Sequence, residues 1–277
     1  MPVPPKPQPV VRPGQGISLL QRARRLPWRP LRCRARRALL ASGLLLAAAS
    51  TQGAASDIIH AAHYSEPTTR YAHGVLGDAV EWGALRLTVG ACKGCADAAN
   101  RTVLIRLPET RVFEDTAPRL ADLDSDGAPE VIVVESDLNL GARLAVYDAG
   151  GLITATPFIG RAFRWLAPLG AADLDGDGTT EIAYIDRPHL AKTLRVWRYA
   201  GRSLSEVASL PGLTNHRIGE SHISGGIRDC GNGPEIVTVD AAWRTVMATR
   251  LQDGRLSARP LGPFRGAVSL EDAVACK

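Results

Sequence analysis

Two segments of the chain, 51 residues apart, carry the same loop: DLDSDGAPEVIVVE at residues 122–135 and DLDGDGTTEIAYID at residues 173–186. In each, aspartates stand at positions 1, 3 and 5, a glycine at 6 and a glutamate at 9, and an apolar segment follows at once. A chain that writes so charged a loop twice, in register with the segment after it, is built from a repeated unit.

The flanking text supports this. From Arg143 the order is RLAVYDA, a Gly150-Gly151 turn, LITATPFI, RWLAPLGAA, the aspartate loop and EIAYI. The next unit reads TLRVWRY, a turn at Ala200-Gly201, SLSEVASL, a turn at Pro211-Gly212, HISGGI, a loop at residues 229–233 and EIVTV. A third pass begins with TVMATRL, turns at Asp253-Gly254 and runs RLSARPL. Glu130, Glu181 and Glu235 hold matching places, 51 and 54 residues apart. Strand-sized pieces rich in Val, Ile, Leu and aromatics, divided by Gly, Pro, Asp and Asn, predict an all-β fold. A period near 50 residues with four strands per unit predicts β-propeller blades. The region before Arg111 reads as a worn copy, with WGALRLTV and TVLIRL as strands and Leu76-Gly77-Asp78 where the aspartate loop would be. The expected architecture is a propeller of four four-stranded blades, complete or incomplete, or five if the chain ends supply one between them.

Alternating spacing turns the carboxylates of Asp122, Asp124 and Asp126, and of Asp173, Asp175 and Asp177, toward one centre. The glycines, Gly127 and Gly178, permit the sharp turn that brings the carbonyls of Ala128 and Thr179 to the same centre, and Glu130 and Glu181 complete each set. Two like charges about 4 Å apart repel by roughly 4 kcal/mol at an effective dielectric of 20, so a cation belongs there. Hard oxygen ligands in this number predict Ca²⁺. An EF-hand needs glutamate at position 12 and flanking helices, whereas position 12 is Val133 or Tyr184 and strands follow.

The pattern D-x-D-x-D-G-x-x-E followed by an apolar strand, and then by strands such as LAVYD and LRVWRY, resembles the FG-GAP/VCBS-type repeats of integrin-α-like β-propellers. The resemblance covers residues 111–198 and is weaker in the flanking units. It implies a blade whose calcium loop joins two neighbouring strands, with the metal serving structure. The ligand roles then fall on Asp122, Asp124, Asp126, Ala128 and Glu130, and on Asp173, Asp175, Asp177, Thr179 and Glu181. The third loop, RDCGNGPE, keeps Asp229 but has Gly231 and Asn232 in place of later carboxylates.

Charge divides the chain in two. Residues 1–56 hold ten basic side chains and no acidic ones, which leaves 23 basic against 28 acidic in residues 57–277. A body with a net charge of −5 lacks the basic footprint of a nucleic-acid binder. Arg36-Arg37, the run ALLASGLLLAAAS and the small residues at 53–56 read as a secretory leader with an extended basic n-region. The run is too short for a membrane span, which needs about 20 apolar residues. Residues 57–277 are therefore expected as one exported domain, periplasmic or extracellular. Once Cys33 leaves with the leader, Cys92, Cys95, Cys230 and Cys276 remain, an even set that predicts two disulfides. Cys92 and Cys95 are expected to close a small turn, and Cys230 to Cys276 to pin the last strand.

Other candidates carry less. His60 and His63 are expected at a frayed end. The polar segment NHRIGESH, with His216, Arg217, Glu220, Ser221 and His222, could be written as a hydrolase site, but no G-x-S-x-G elbow accompanies it. Trp82, Trp165, Trp197 and Trp243 are expected in or beside strands, packing blades together. The functional expectation is a calcium-stabilised, non-enzymatic propeller that presents a surface to a protein or glycan. The alternative is a secreted polysaccharide-active hydrolase or lyase, which would need an acid/base pair outside the metal loops.

Overall fold

In the computed structural model, residues 57–90 and 100–277 are described, and they form antiparallel β-structure with one short helix. The expected leader, Cys92 and Cys95 lie outside the described residues. The first unit has three strands, β1 (Ile58–Thr68), β2 (Glu81–Gly90) and β3 (Arg101–Arg106), with β2 in the middle. His60 and His63 are therefore not at a frayed end; both lie in β1, which pairs with β2 along most of its length.

Three four-layered meanders follow. In the first, β4 (Arg111–Phe113) and β5 (Arg119–Ala121) share one edge of β6 (Glu130–Asp137), which continues to β7 (Gly141–Asp148) and β8 (Gly151–Ala155). The single pair Trp82 and Phe113 joins this sheet to β2. The second runs β9 (Leu166–Ala172), β10 (Glu181–Asp186), β11 (Thr193–Ala200) and β12 (Ser203–Pro211). In the third, β13 (Leu213–Thr214) and β14 (Gly226–Asp229) share the edge of β15 (Pro234–Asp240), followed by β16 (Thr245–Gln252) and β17 (Arg255–Pro263). Both aspartate loops, and the third loop at residues 230–233, join the same two strands of their sheets.

One strand starts later than the sequence suggests. HISGGI was expected as a strand, but pairing begins at Gly226. Gly225 has a φ of +82°, and a Cβ there would sit 2.3 Å from the Val237 carbonyl oxygen. The chain turns tightly against β15 before it can pair with it, and only glycine allows that approach. Trp243 also departs from expectation, in the turn between β15 and β16.

The apolar runs are nearly continuous because the central strands are covered on both faces. Along β6, Ile132 and Val134 enter the core shared with β9–β11, while Val131 and Val133 enter the one shared with β1 and β2. Along β10, Ile182 and Tyr184 face back to the first meander, and Ala183 and Ile185 face the third. The helix, α1 (Ala267–Val274), takes the place of a further sheet: Leu270 and Ala273 cover Val237, Val239 and Val246.

Cys230 and Cys276 form the expected disulfide, across 46 residues. What it pins is the helix rather than the last strand, because Cys276 follows α1, and Arg228 adds a 2.6 Å hydrogen bond to the Ala273 carbonyl. Cys276→Ser is expected to lower stability by about 4 kcal/mol in the chain-entropy treatment. Thermal melting of the oxidised protein against the variant tests this, with fluorescence of a dye that binds exposed apolar surface reporting the uncovered face of β15.

Candidate metal loops and a cleft at the opposite strand ends

Each aspartate loop winds around its own first carboxylate. Asp122 accepts the backbone N–H groups of Asp126 and Gly127, and Asp173 accepts those of Gly176, Asp177 and Gly178. Gly127 and Gly178 hold φ near +89° and +86° with no atom near a would-be Cβ, so conformation rather than space selects glycine. The glutamate reaches back: Glu130 accepts from Leu123 N–H and Glu181 from Leu174 N–H, both at 2.9 Å.

The structure brings together three carboxylates per loop, Asp122, Asp124 and Glu130, and Asp173, Asp175 and Glu181, with oxygens within 4.8 Å of one another. Asp126 and Asp177 stand outside these sets and accept from the Ala128 and Thr179 N–H groups. Burial, and then the charges of Asp124 and Asp126, push Glu130 above the usual carboxylate range. Asp175 Oδ1 is buried without a hydrogen-bond partner, as expected of an oxygen placed for a cation.

The three equivalent glutamates meet positive charge differently. Tyr147 pairs with Val131, so the register sets Glu130 opposite Asp148; Asp148 holds Arg202 at 2.7 Å, and Glu130 itself makes no ion pair among the described residues. Glu181 lies opposite Arg198, whose guanidinium reaches Glu181 at 2.7 Å, Asp175 at 2.6 Å and Asp177 at 3.0 Å. In the third loop, which lacks the later aspartates, Arg228, Arg250 and Arg259 all contact Glu235 at 2.8 Å. The number of guanidinium groups on the equivalent glutamate thus rises from none to one to three along the chain.

Burial alone would raise Glu235, but hydrogen bonds from Arg228, Arg259 and Arg250 outweigh it and hold the group at about 2. Its stabilising contribution is complete above the ordinary value of 4.5 and is lost as pH falls from there toward about 2. Glu235→Gln should therefore lower stability at neutral pH and flatten the acid limb of the stability profile, as measured by denaturant titration at several pH values.

A second arrangement lies at the other ends of the strands. β10 runs from Glu181 at its metal loop to Asp186, so the two ends are about 17 Å apart. Here a cleft of 210 Å³ is lined by His73, Phe163, Arg164, Trp165, Arg187, His189, Leu190 and Ile218. His73 comes from the β1–β2 loop, and its Nδ1 lies 2.5 Å from buried Glu114, which also accepts from Ser136. The Trp165 indole donates to the Glu114 carbonyl at 2.8 Å, stacks on His189 and meets His216 edge-on. His189 Nε2 and His216 Nδ1 are 2.9 Å apart, and His216 Nε2 lies 2.8 Å from the Glu220 carbonyl oxygen. Burial, followed by the nearby His216 and His73, lowers His189 to about 4, and burial also lowers His216. Both rings are neutral near pH 7.

His216 and Glu220, singled out by sequence, thus belong to a hydrogen-bonded chain behind this cleft, while His222 lines a different hollow against α1. Glu114, Phe163, Arg164 and Arg187 gave no sequence signal, since Glu114 follows β4 in the first meander while Phe163 and Arg164 precede β9 and Arg187 follows β10 in the second. The one regularity they share is position, at strand ends away from the aspartate loops.

Residues 122–184 match the model of the FG-GAP-like repeat. No curated protein matches the chain. Among solved structures, the chain is similar to the crystal structure of the exotype rhamnogalacturonan lyase YesX, at 13% identity and a TM-score of 0.42. That similarity covers 75% of this chain and 48% of the lyase, so the chain spans about half the lyase's length.

Proposed function

Because the chain carries an FG-GAP-like repeat over residues 122–184, we propose that it is an exported, calcium-stabilised binding domain that presents its cleft end to a protein or glycan. The observation that carries this reading is the rim of the cleft. Phe163, Leu190 and Ile218 are 48%, 62% and 72% exposed, three large apolar side chains around one opening. Apolar surface gathered beside polar groups marks a recognition site more often than surface scattered singly.

Calcium has a structural part in this proposal. Asp122, Asp124, Asp126, Glu130 and the Ala128 carbonyl would hold one ion, and Asp173, Asp175, Asp177, Glu181 and the Thr179 carbonyl a second. The ion supplies the positive charge that lets each loop pack its carboxylates at the root of a strand. Weak sites suffice outside the cell, where affinities of about 10⁻⁴ to 10⁻³ M are usual. The Cys230–Cys276 bond fits an oxidising compartment. Among the described residues no helix is long and apolar enough to cross a membrane.

Chelation of calcium should lower the melting temperature without touching the disulfide, and Asp124→Ala or Asp175→Ala should each remove one ion from the bound count. A metal content of zero in calcium-saturated protein would overturn the assignment. The two sites should also differ. Arg198 contacts the carboxylates of the second loop, so the first should bind more tightly, and Arg198→Ala should tighten the second by about tenfold. Calorimetric titration of calcium into wild type and variant reads both affinities.

For the binding function, purified protein is incubated with polysaccharide panels while both retention and new reducing ends are followed. Retention without product is expected. Release of product would replace the reading with that of a polysaccharide-active enzyme.

A further inference from the structure

Resting on the binding reading, we propose that the cleft at the strand ends holds one anionic sugar residue, carboxylated or sulfated, of a glycan. Its acid group would meet Arg164 and Arg187, a ring hydroxyl would donate to His189, and its apolar ring face would lie on Phe163.

Three properties of the lining lead there. The first is charge. Eight residues line the cleft, two of them arginines and none a carboxylate. Arg164 makes no ion pair among the described residues; it spends one nitrogen on the Phe163 carbonyl, at 2.7 Å. Arg187 commits Nε and Nη2 to Asp186, which leaves Nη1. A planar guanidinium with unused N–H groups suits the oxygens of a carboxylate or sulfate.

The second is a fixed acceptor. The Glu220 carbonyl can only accept, so His216 carries its proton on Nε2 and offers a lone pair at Nδ1. His189 must then donate from Nε2, and its Nδ1 keeps a lone pair that makes no hydrogen bond among the described residues. Stacking against Trp165 holds the ring in place. A simple anion such as acetate or sulfate has no proton to offer this acceptor. The ligand must bring a donor beside its acid group, as a sugar hydroxyl does.

The third is shape. Phe163 offers an aromatic face that is half exposed, and its ring is steadied by Tyr71, stacked at 5.0 Å. The Tyr71 hydroxyl accepts the Phe163 N–H at 2.7 Å. Phe163 and Arg187 both hold positive φ, at +54° and +46°, a strained conformation for side chains of this size that concentrates at ligand sites. At 210 Å³ the cleft is smaller than a drug-sized pocket and matches about one ring.

The test titrates wild-type protein with glucuronate, glucose 6-sulfate and glucose, following tryptophan fluorescence and heat. At least one of the two acidic sugars is expected to bind about tenfold or more tightly than glucose. Which of them binds distinguishes a carboxylate source from a sulfate source. Arg164→Gln should remove that preference while leaving the melting temperature unchanged, and Arg161→Gln, an exposed arginine outside the lining, should leave binding intact. Glucose binding as tightly as both acidic sugars, no heat from any of the three, or equal effects of the two arginine variants would overturn the proposal. So would binding of an acidic peptide that neither acidic sugar displaces. If the proposal fails in these ways while the protein is still retained on a polysaccharide and Arg164→Gln does not weaken retention, the binding reading stands and only the cleft assignment falls.

Discussion

The structure depends on how a buried glutamate is neutralised at the root of the second strand in each meander. Glu130, Glu181 and Glu235 all lie under the loop that enters the strand, where solvent cannot screen them. An isolated carboxylate there would protonate or unfold its corner. Three local solutions appear in order along the chain: a ring of loop carboxylates set for a cation, the same ring crossed by Arg198, and a cage of three arginines without the ring. The equivalent glutamates meet no arginine, one and three in turn, so the repeat survives while its chemistry changes.

With its corners fixed, a meander has two apolar faces to cover, and neighbouring units do this for one another. The alternation of Val131 and Val133 with Ile132 and Val134 sends successive side chains into two different cores. Removing one unit would expose a face on the next, which couples the stability of the units. The ends need separate treatment. At the far end the last sheet is closed by α1, held by a disulfide and by Arg228, the arginine that also serves Glu235. The third corner and the terminal cap are thereby tied through one side chain.

The loops at the opposite strand ends answer to different demands. They carry exposed aromatic and aliphatic side chains, left-handed backbone at Phe163 and Arg187, and two histidines whose proton positions are dictated by one carbonyl. The aspartate loops lie at one end of the strands and the cleft at the other, about 17 Å away along β10.

The all-β class, the repeat with its aspartate loops and the Cys230–Cys276 pair were legible in the sequence, because the first two are written in local spacing and the pair remains once Cys92 and Cys95 are assigned to their own short turn. Alternation, a loop of fixed length and a glycine at a fixed offset are properties of a dozen neighbouring residues. What covers the last sheet was not legible, since α1 is only eight residues long and its apolar side chains acquire meaning only against Val237 and Val239. The same holds for Arg198, which reads as an ordinary strand residue until the register sets it opposite Glu181. The cleft was not legible as a site, although His216 and Trp165 stood out singly: His73, Glu114, Trp165, His189 and His216 come from separate loops, and only the stacking of the sheets brings those loops to one place. Spacing along the chain determined the corners of this protein, and packing between units decided what lies at their other end.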